Sequence, residues 1–256
     1  MTTGKFDTTP IARELAAMAR RRQALSAQEL PLPARTRILT VVNQKGGVGK
    51  TTTAVNLAAA LSQAGARVLV LDLDPQGNAS TALGIDHHAD VMSTYDVLID
   101  GEPLSSAIAI SPQSKQLQVV PSTIHLAGAD LELAGMERRE HRLREALDAH
   151  LSSLDEPPHY VFIDCPPSLG LLTINAFTAA TEVLLPIQCE YYALEGVTQL
   201  LETIGRIQAH LNPKLEVSTV LLTMFDGRTT IGCRTPNSRI ECSSSLRSSS
   251  SKTVRG

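Results

Sequence analysis

Two lysines bracket a glycine-rich run in Lys45-Gly46-Gly47-Val48-Gly49-Lys50-Thr51-Thr52. Glycines at these positions let the backbone curl until several N–H groups converge on one anion. A helix opening near Lys50 would add free N–H groups and the positive end of its dipole. Lys50 then supplies charge to the β- and γ-phosphates, the Thr51 hydroxyl is placed to ligate Mg²⁺, and Thr52 reaches the α-phosphate region. The chemistry is triphosphate binding: residues 45–52 are the candidate loop, and ATP with Mg²⁺ is the expected ligand. Gln44 stands where the pattern GxxxxGK[ST] has its first Gly, and Lys45 is an additional cation, so the loop is of the deviant Walker type.

Carboxylates follow at two further places. Leu71-Asp72-Leu73-Asp74-Pro75-Gln76-Gly77-Asn78 ends an apolar run. Two aspartates at i and i+2 of a strand point to one face, and the carboxyl end of a parallel strand opens on the ligand crevice. One can sit near the Mg²⁺ shell while the other orients an attacking water. Tyr160-Val-Phe-Ile-Asp164-Cys165-Pro166-Pro167-Ser168 is a hydrophobic strand ending in Asp, the Walker B arrangement, and Asp164 would hold a Mg²⁺-bound water. The two prolines give a stiff exit suited to a loop that senses the γ-phosphate. His87 and His88 lack a third ligand and read as surface residues. Tyr191 and Tyr192 suit a subunit interface or core packing equally. No Ser/His/Asp or Cys/His nucleophile pattern emerges.

These groups must be held by a sheet. Short runs rich in β-branched residues at Ile38–Val42, Val68–Leu73, Leu117–Val120, Tyr160–Ile163, Val183–Ile187 and Val217–Leu222 predict strands buried on both faces. Helical segments at Thr51–Gln63, Ala127–Leu133, Arg138–Leu151, Leu171–Ala180 and Leu194–Leu211 lie between them. The alternation predicts an α/β fold, a doubly wound, mostly parallel sheet of P-loop NTPase type.

Composition agrees with this and narrows the function. Of 256 residues 43% are hydrophobic and only 3% aromatic, which suits a Val/Leu/Ile sheet under Ala-rich helices. A net charge of −3 gives no global pull toward nucleic acid, so DNA binding would need a local patch. Cys165, Cys189, Cys233 and Cys242 form no CxxC pair, so inert thiols are expected. Met1–Arg22 has no apolar h-region and no window reaches the roughly 18 apolar residues of a span, so a cytoplasmic protein is expected. Residues 1–36, with a surplus of three positive charges, read as a basic arm with helical character at Ile11–Leu25. Residues 37–228 carry the strand–helix alternation. Residues 229–256 contain eight Ser and five basic residues without apolar period, and disorder is expected there.

With these motifs in place, residues Arg37 to Arg228 closely resemble the ParA/Soj chromosome-partitioning ATPases, relatives of MinD and the nitrogenase iron protein. The resemblance rests on Asn43-Gln-Lys-Gly-Gly-Val-Gly-Lys-Thr-Thr-Thr53, Asp72-Leu-Asp-Pro-Gln-Gly-Asn78, Asp164-Cys-Pro-Pro-Ser168, Pro186-Ile-Gln-Cys-Glu-Tyr-Tyr-Ala-Leu-Glu-Gly196 and Thr223-Met-Phe-Asp-Gly-Arg-Thr229. It implies an ATP-closed homodimer in which Lys45 reaches the partner's nucleotide. It implies further that Asp74 orients the hydrolytic water and that Thr51, Asp72 and Asp164 serve the metal. The dimer would coat DNA without sequence preference, at the nucleoid, and a ParB-type centromere-binding partner would stimulate hydrolysis. Arg228 is the one family DNA-binding position that matches.

The pattern departs after Arg228-Thr229, where the family continues with a helix, a strand ending in Pro-Arg and closing helices. The Ser/Arg tract in their place predicts a frameshifted or truncated reading, with the C-terminal strand and helices missing and a non-functional fragment that binds nucleotide poorly or not at all as one alternative. A MinD-like membrane switch is another, but it requires a basic amphipathic C-terminal helix that the Ser-rich tract does not provide. An electron carrier like the iron protein would need cluster-bridging cysteines, and Cys165 and Cys189 do not fit that pattern.

Overall fold

The computed structural model describes residues 9–26, 31–189 and 193–224. Arg228, Tyr191, Tyr192 and the tract 229–256 lie outside the described residues. The elements run α1 (Pro10–Ser26), β1 (Arg37–Val41), α2 (Lys50–Gln63), β2 (Val68–Asp72), α3 (Asn78–Ala82), α4 (Thr94–Leu98), β3 (Ala109–Ile110) and β4 (Leu117–Val120). They continue with α5 (Ala129–Ala134), α6 (Arg142–Ser152), β5 (Tyr160–Asp164), α7 (Leu171–Ala179), β6 (Glu182–Gln188), α8 (Ala193–His210) and β7 (Glu216–Thr223).

The strands form one sheet in the order β3-β4-β2-β5-β1-β6-β7, parallel throughout except for the antiparallel β3–β4 pair. Every strand expected from the sequence is present, but β7, expected to be buried on both faces, is largely exposed at one edge of the sheet. Alternate residues of the central strands feed separate cores. Leu69, Leu71, Val161 and Ile163 pack with Leu172, Ala176 and Phe177 of α7 and Leu200 and Ile204 of α8. Val68, Val70 and Phe162 pack on the other face against Ala54 and Ala58 of α2. Each of these large side chains contributes about 1.5–3 kcal/mol by burial, and the two alanines let α2 lie close to the sheet. That closeness sets where the N-terminus of α2 points.

Three local differences from the sequence expectation have clear causes. Helices α3 and α4 span five residues each and β3 two, too short to show a period. The helix expected over Ala127–Leu133 divides into a 3₁₀ turn, Ile124–Ala127, and α5, with Gly128 between them. The helix expected from Arg138 begins at Arg142, because Arg138 takes a left-handed conformation with φ 53° that no continuous α-helix accepts.

Candidate functional site

β1 delivers the chain into the glycine loop. Asn43 is buried and fixes its entry: its amide donates to the Pro186 carbonyl at 2.7 Å, and its Oδ1 accepts the Lys45 N–H at 3.0 Å. Gly47 and Gly49 adopt φ 74° and 90°, where a side chain would strain the backbone. Gly49 caps α2 without any side-chain hydrogen bond, so the first N–H groups of a 14-residue helix are left for an anion. Lys50 is buried, with Nζ 3.4 Å from the Lys45 carbonyl. Burial lowers its pKa, and the charges of Asp164 and Asp74 oppose that. Val48 is buried, while Lys45, Gly46 and Gly47 are exposed. Thr51 is half-buried and Thr52 exposed in the first turn of α2.

The carboxylates arrive on neighbouring strands. β5 lies between β2 and β1, with Asp164 in register with Asp72 on one side and Val41 on the other. Both aspartates are fully buried, yet they are treated differently. Neither Asp164 oxygen accepts a hydrogen bond of good geometry among the described residues, although the Thr51 hydroxyl stands near enough to counter part of the burial effect. Burial pushes the Asp164 carboxyl up to about 7, with Asp72 and Asp74 adding to the rise. A buried, unpaired carboxylate is costly and marks a place built for a cation. The Asp72 carboxyl is raised by burial to about 6, against hydrogen bonds from Ser80 and Asp74. Its oxygens accept from the Asp74 N–H, the Ser80 N–H and the Ser80 hydroxyl.

Asp74 is not on the strand, which ends at Asp72. It is half-buried in the turn that leads to α3, and its Oδ1 accepts the Gln76 N–H at 3.0 Å. The reading of two carboxylates side by side on one strand face is therefore replaced by a buried strand-end acid followed by a loop acid. Gly77, with φ 62°, closes that turn against the His87 ring. His87 is half-buried there and paired with Thr81 at 2.8 Å, while His88 is exposed. Cys165 is fully buried beside the Thr40 hydroxyl at 3.1 Å, and burial pushes its thiol up to about 12, so it stays protonated and inert.

The structure thus gathers residues 45–52, Asp72, Asp74 and Asp164 at the carboxyl ends of β1, β2 and β5. Among the described residues no group of three or more His, Cys, Asp or Glu side chains could hold a metal alone. Sequence reasoning gave no role to Asn43, Ser80, Ser122 or Thr223. Their signal is only a polar residue at a strand exit or, for Ser80, in the short helix α3, and its meaning comes from partners along the chain. A cavity of about 500 Å³ lies away from this site, lined in part by Glu102, Arg142, Glu145 and His150.

A glycine loop between a strand and an uncapped helix, facing a buried strand-end aspartate, defines a P-loop nucleotide-binding protein of the α/β class. Residues 36–217 match an AAA-domain family. Soj of Bacillus subtilis is 52% identical over 196 residues, 77% of this chain and 76% of that protein. ParA of Caulobacter vibrioides is 50% identical over 195 residues, 76% of this chain and 72% of that protein. Among solved structures, a protein of Mycobacterium smegmatis titled cobyrinic acid a,c-diamide synthase, with bound ADP and magnesium, superposes with TM-score 0.71 and 43% identity over 78% of this chain and 79% of that one. A plasmid partition protein from Borrelia burgdorferi superposes with TM-score 0.66 and 25% identity over 78% of this chain and 82% of that one. The chain belongs to the ParA/Soj family of chromosome-partitioning ATPases.

Proposed function

We propose that this protein is an ATP-dependent dimerising switch that binds DNA without sequence preference and hydrolyses ATP with a ParB-type partner to segregate chromosome or plasmid DNA. ATP and Mg²⁺ are its ligands. The observation that carries this reading is the uncapped N-terminus of α2, with Lys50 buried behind it and the unpaired Asp164 carboxylate beside it. We assign the ATPase domain to residues 37–228, the basic arm to 1–36 and the Ser/Arg tract to 229–256.

Residues 45–52 grip the triphosphate. Lys50 neutralises charge on the β- and γ-phosphates, and exposed Lys45 extends to the nucleotide of the second subunit. Thr51 and Asp164 are the residues that fit the cation, with Asp72 the third candidate named by family resemblance. Mg²⁺, when bound, offsets phosphate charge and steadies the leaving group. Asp74 orients the attacking water as a hydrogen-bond acceptor, and Arg228 contributes to the DNA surface. Affinity for DNA then falls in the range of about 10⁻⁴–10⁻⁶ M and weakens steeply with salt. Among the described residues no helix is long and apolar enough to cross a membrane, and the proposed location, by resemblance to the family, is the cytoplasm at the nucleoid.

The test is ATP turnover of the full chain with DNA and a ParB-type protein, together with calorimetry of Mg·ATP. Asp74→Ala should keep nucleotide affinity and lose roughly 100-fold or more in turnover. Lys45→Ala should keep affinity and weaken dimer formation. Folded protein with no affinity for Mg·ATP would end the reading.

A further inference from the structure

We propose that Asp72, Ser80 and Ser122 form a brace that fixes the main chain of Asp74, so that all three are positioning residues for hydrolysis and Asp72 is not a ligand of the cation. The inference rests on the assignment of Asp74 to water orientation. Asp72 Oδ1 accepts the Asp74 N–H at 3.2 Å, and Oδ2 accepts the Ser80 N–H at 2.9 Å and the Ser80 hydroxyl at 2.7 Å. The Ser80 oxygen in turn accepts the Ser122 N–H at 3.2 Å. The Ser122 hydroxyl donates to the Asp74 carbonyl at 2.5 Å. The circuit closes on Asp74, gripping its peptide N–H and its carbonyl from opposite sides.

Asp72, Ser80 and Ser122 are all fully buried. Thr94 strengthens the frame, its hydroxyl lying 2.8 Å from the Asp72 carbonyl and 3.0 Å from that of Pro121. The Asp74 turn is thereby anchored to the carboxyl ends of both β2 and β4. A carboxylate has about four lone-pair sites, and Asp72 gives three of them to protein donors. Asp164, the next strand's acid in the same register, accepts none of good geometry among the described residues, with only the Thr51 hydroxyl nearby. A divalent cation is served by the acid with free lone pairs, while the satisfied acid serves geometry. Holding Asp74 matters because a displacement of about 1 Å at a reacting group can cost on the order of 100-fold in rate.

The experiment compares Ser80→Ala, Ser122→Ala, Ser122→Thr and Asp72→Asn in the full chain. It reads kcat, the KM for ATP, the half-saturating Mg²⁺ concentration and amide exchange of residues 72–80 without nucleotide. The alanine variants should lose about tenfold in kcat, with KM and Mg²⁺ half-saturation within about twofold, and exchange at 74–80 should quicken. Ser122→Thr, which keeps the hydroxyl, should restore both. Asp72→Asn should leave Mg²⁺ half-saturation within about twofold as well. If Asp72→Asn does not fold, Ser122→Ala suffices, because the Ser122 hydroxyl bonds the Asp74 carbonyl and not the Asp72 carboxylate, and a metal role for Asp72 predicts wild-type kcat for it. Wild-type kcat and exchange in both alanine variants overturn the brace. So does a roughly tenfold rise in Mg²⁺ half-saturation for Asp72→Asn with unchanged exchange. Loss of turnover in the unaltered protein, or full turnover in Asp74→Ala, would instead strike the functional assignment, and the exchange data would still judge the brace.

Discussion

The Thr223 hydroxyl donates to the Val48 carbonyl at 2.9 Å, across 175 residues of sequence. The outermost strand of the sheet, β7, is thereby tied to the phosphate loop. The Thr223 methyl stands 3.8 Å from the place a Cβ on Gly49 would occupy, and the Thr223 carbonyl accepts the Cys189 N–H at 3.2 Å. The residue that ends β7 therefore supports the glycine loop from below and steadies the exit of β6.

Replacing Thr223 with Val keeps the shape and removes the donor, leaving the Val48 carbonyl unpaired. Such a loss costs about 1 kcal/mol, so Mg·ATP affinity should fall roughly fivefold. Ser at this position should retain most of it. Calorimetry of the two variants checks this, and equal affinity for Val and wild type refutes a supporting role.

Arg37 and Glu182 join β1 to β6 by two parallel bonds, Nε to Oε1 at 2.7 Å and a terminal guanidinium nitrogen to Oε2 at 2.6 Å. The bond to Arg37 holds the Glu182 carboxyl below its ordinary range against the opposing effect of burial. A carboxyl lowered in the folded state adds stability above its unfolded pKa and loses it as pH falls through the folded one. Arg37→Met should cost about 1–2 kcal/mol near neutral pH, a figure reduced because the guanidinium is partly solvated. Denaturant titrations should show that deficit shrinking as the pH drops below the usual carboxylate range.

How much of this was legible in the sequence depends on the distance over which each feature is specified. The glycine loop and the strand-end Asp164 are local patterns, so residues 45–52 and Asp164 could be placed from spacing alone, as could the strands with their β-branched runs. The Asp72/Asp74 pair was legible as two acids near a strand end and not as geometry. The strand stops at Asp72, whose carboxylate turns to Ser80, eight positions later, and the serine that completes the circuit lies 42 residues beyond that. Short elements escape for a different reason. Helix α4 is specified by a capping box, Ser93 with Asp96, instead of by periodicity.

Asp164 gives a pH dependence of the opposite sign to Glu182. Its folded pKa, raised by burial to about 7, lies above the ordinary carboxylate value of 3.8. Between those values the native state holds a proton that the unfolded chain has released, so stability falls with rising pH across this window and levels off above it. In metal-free protein Asp164→Asn should flatten that fall. It should raise stability by about 1–3 kcal/mol above the window, because the neutral amide avoids the cost of burying a charge. Thermal unfolding from pH 4 to pH 8 checks it, and parallel curves for the two proteins would reject the cause.

Gly170 precedes α7 with an extended ψ of −171° and a φ of −78° that any residue can adopt, so its constraint is space. The Asp130 carboxylate packs where a Cβ would stand, and Asp130 Oδ1 accepts the Leu172 N–H at 3.0 Å, capping α7 from α5. Gly170→Ala must push that carboxylate away. The overlap and the lost cap together should cost about 2 kcal/mol. Asp130→Ala alone should cost about 1 kcal/mol, through the cap only. The double variant should then be no worse than Asp130→Ala, since the methyl finds the space the carboxylate vacated. Denaturant unfolding of the three variants measures the coupling, and strictly additive losses would show that the two residues do not compete for the same volume.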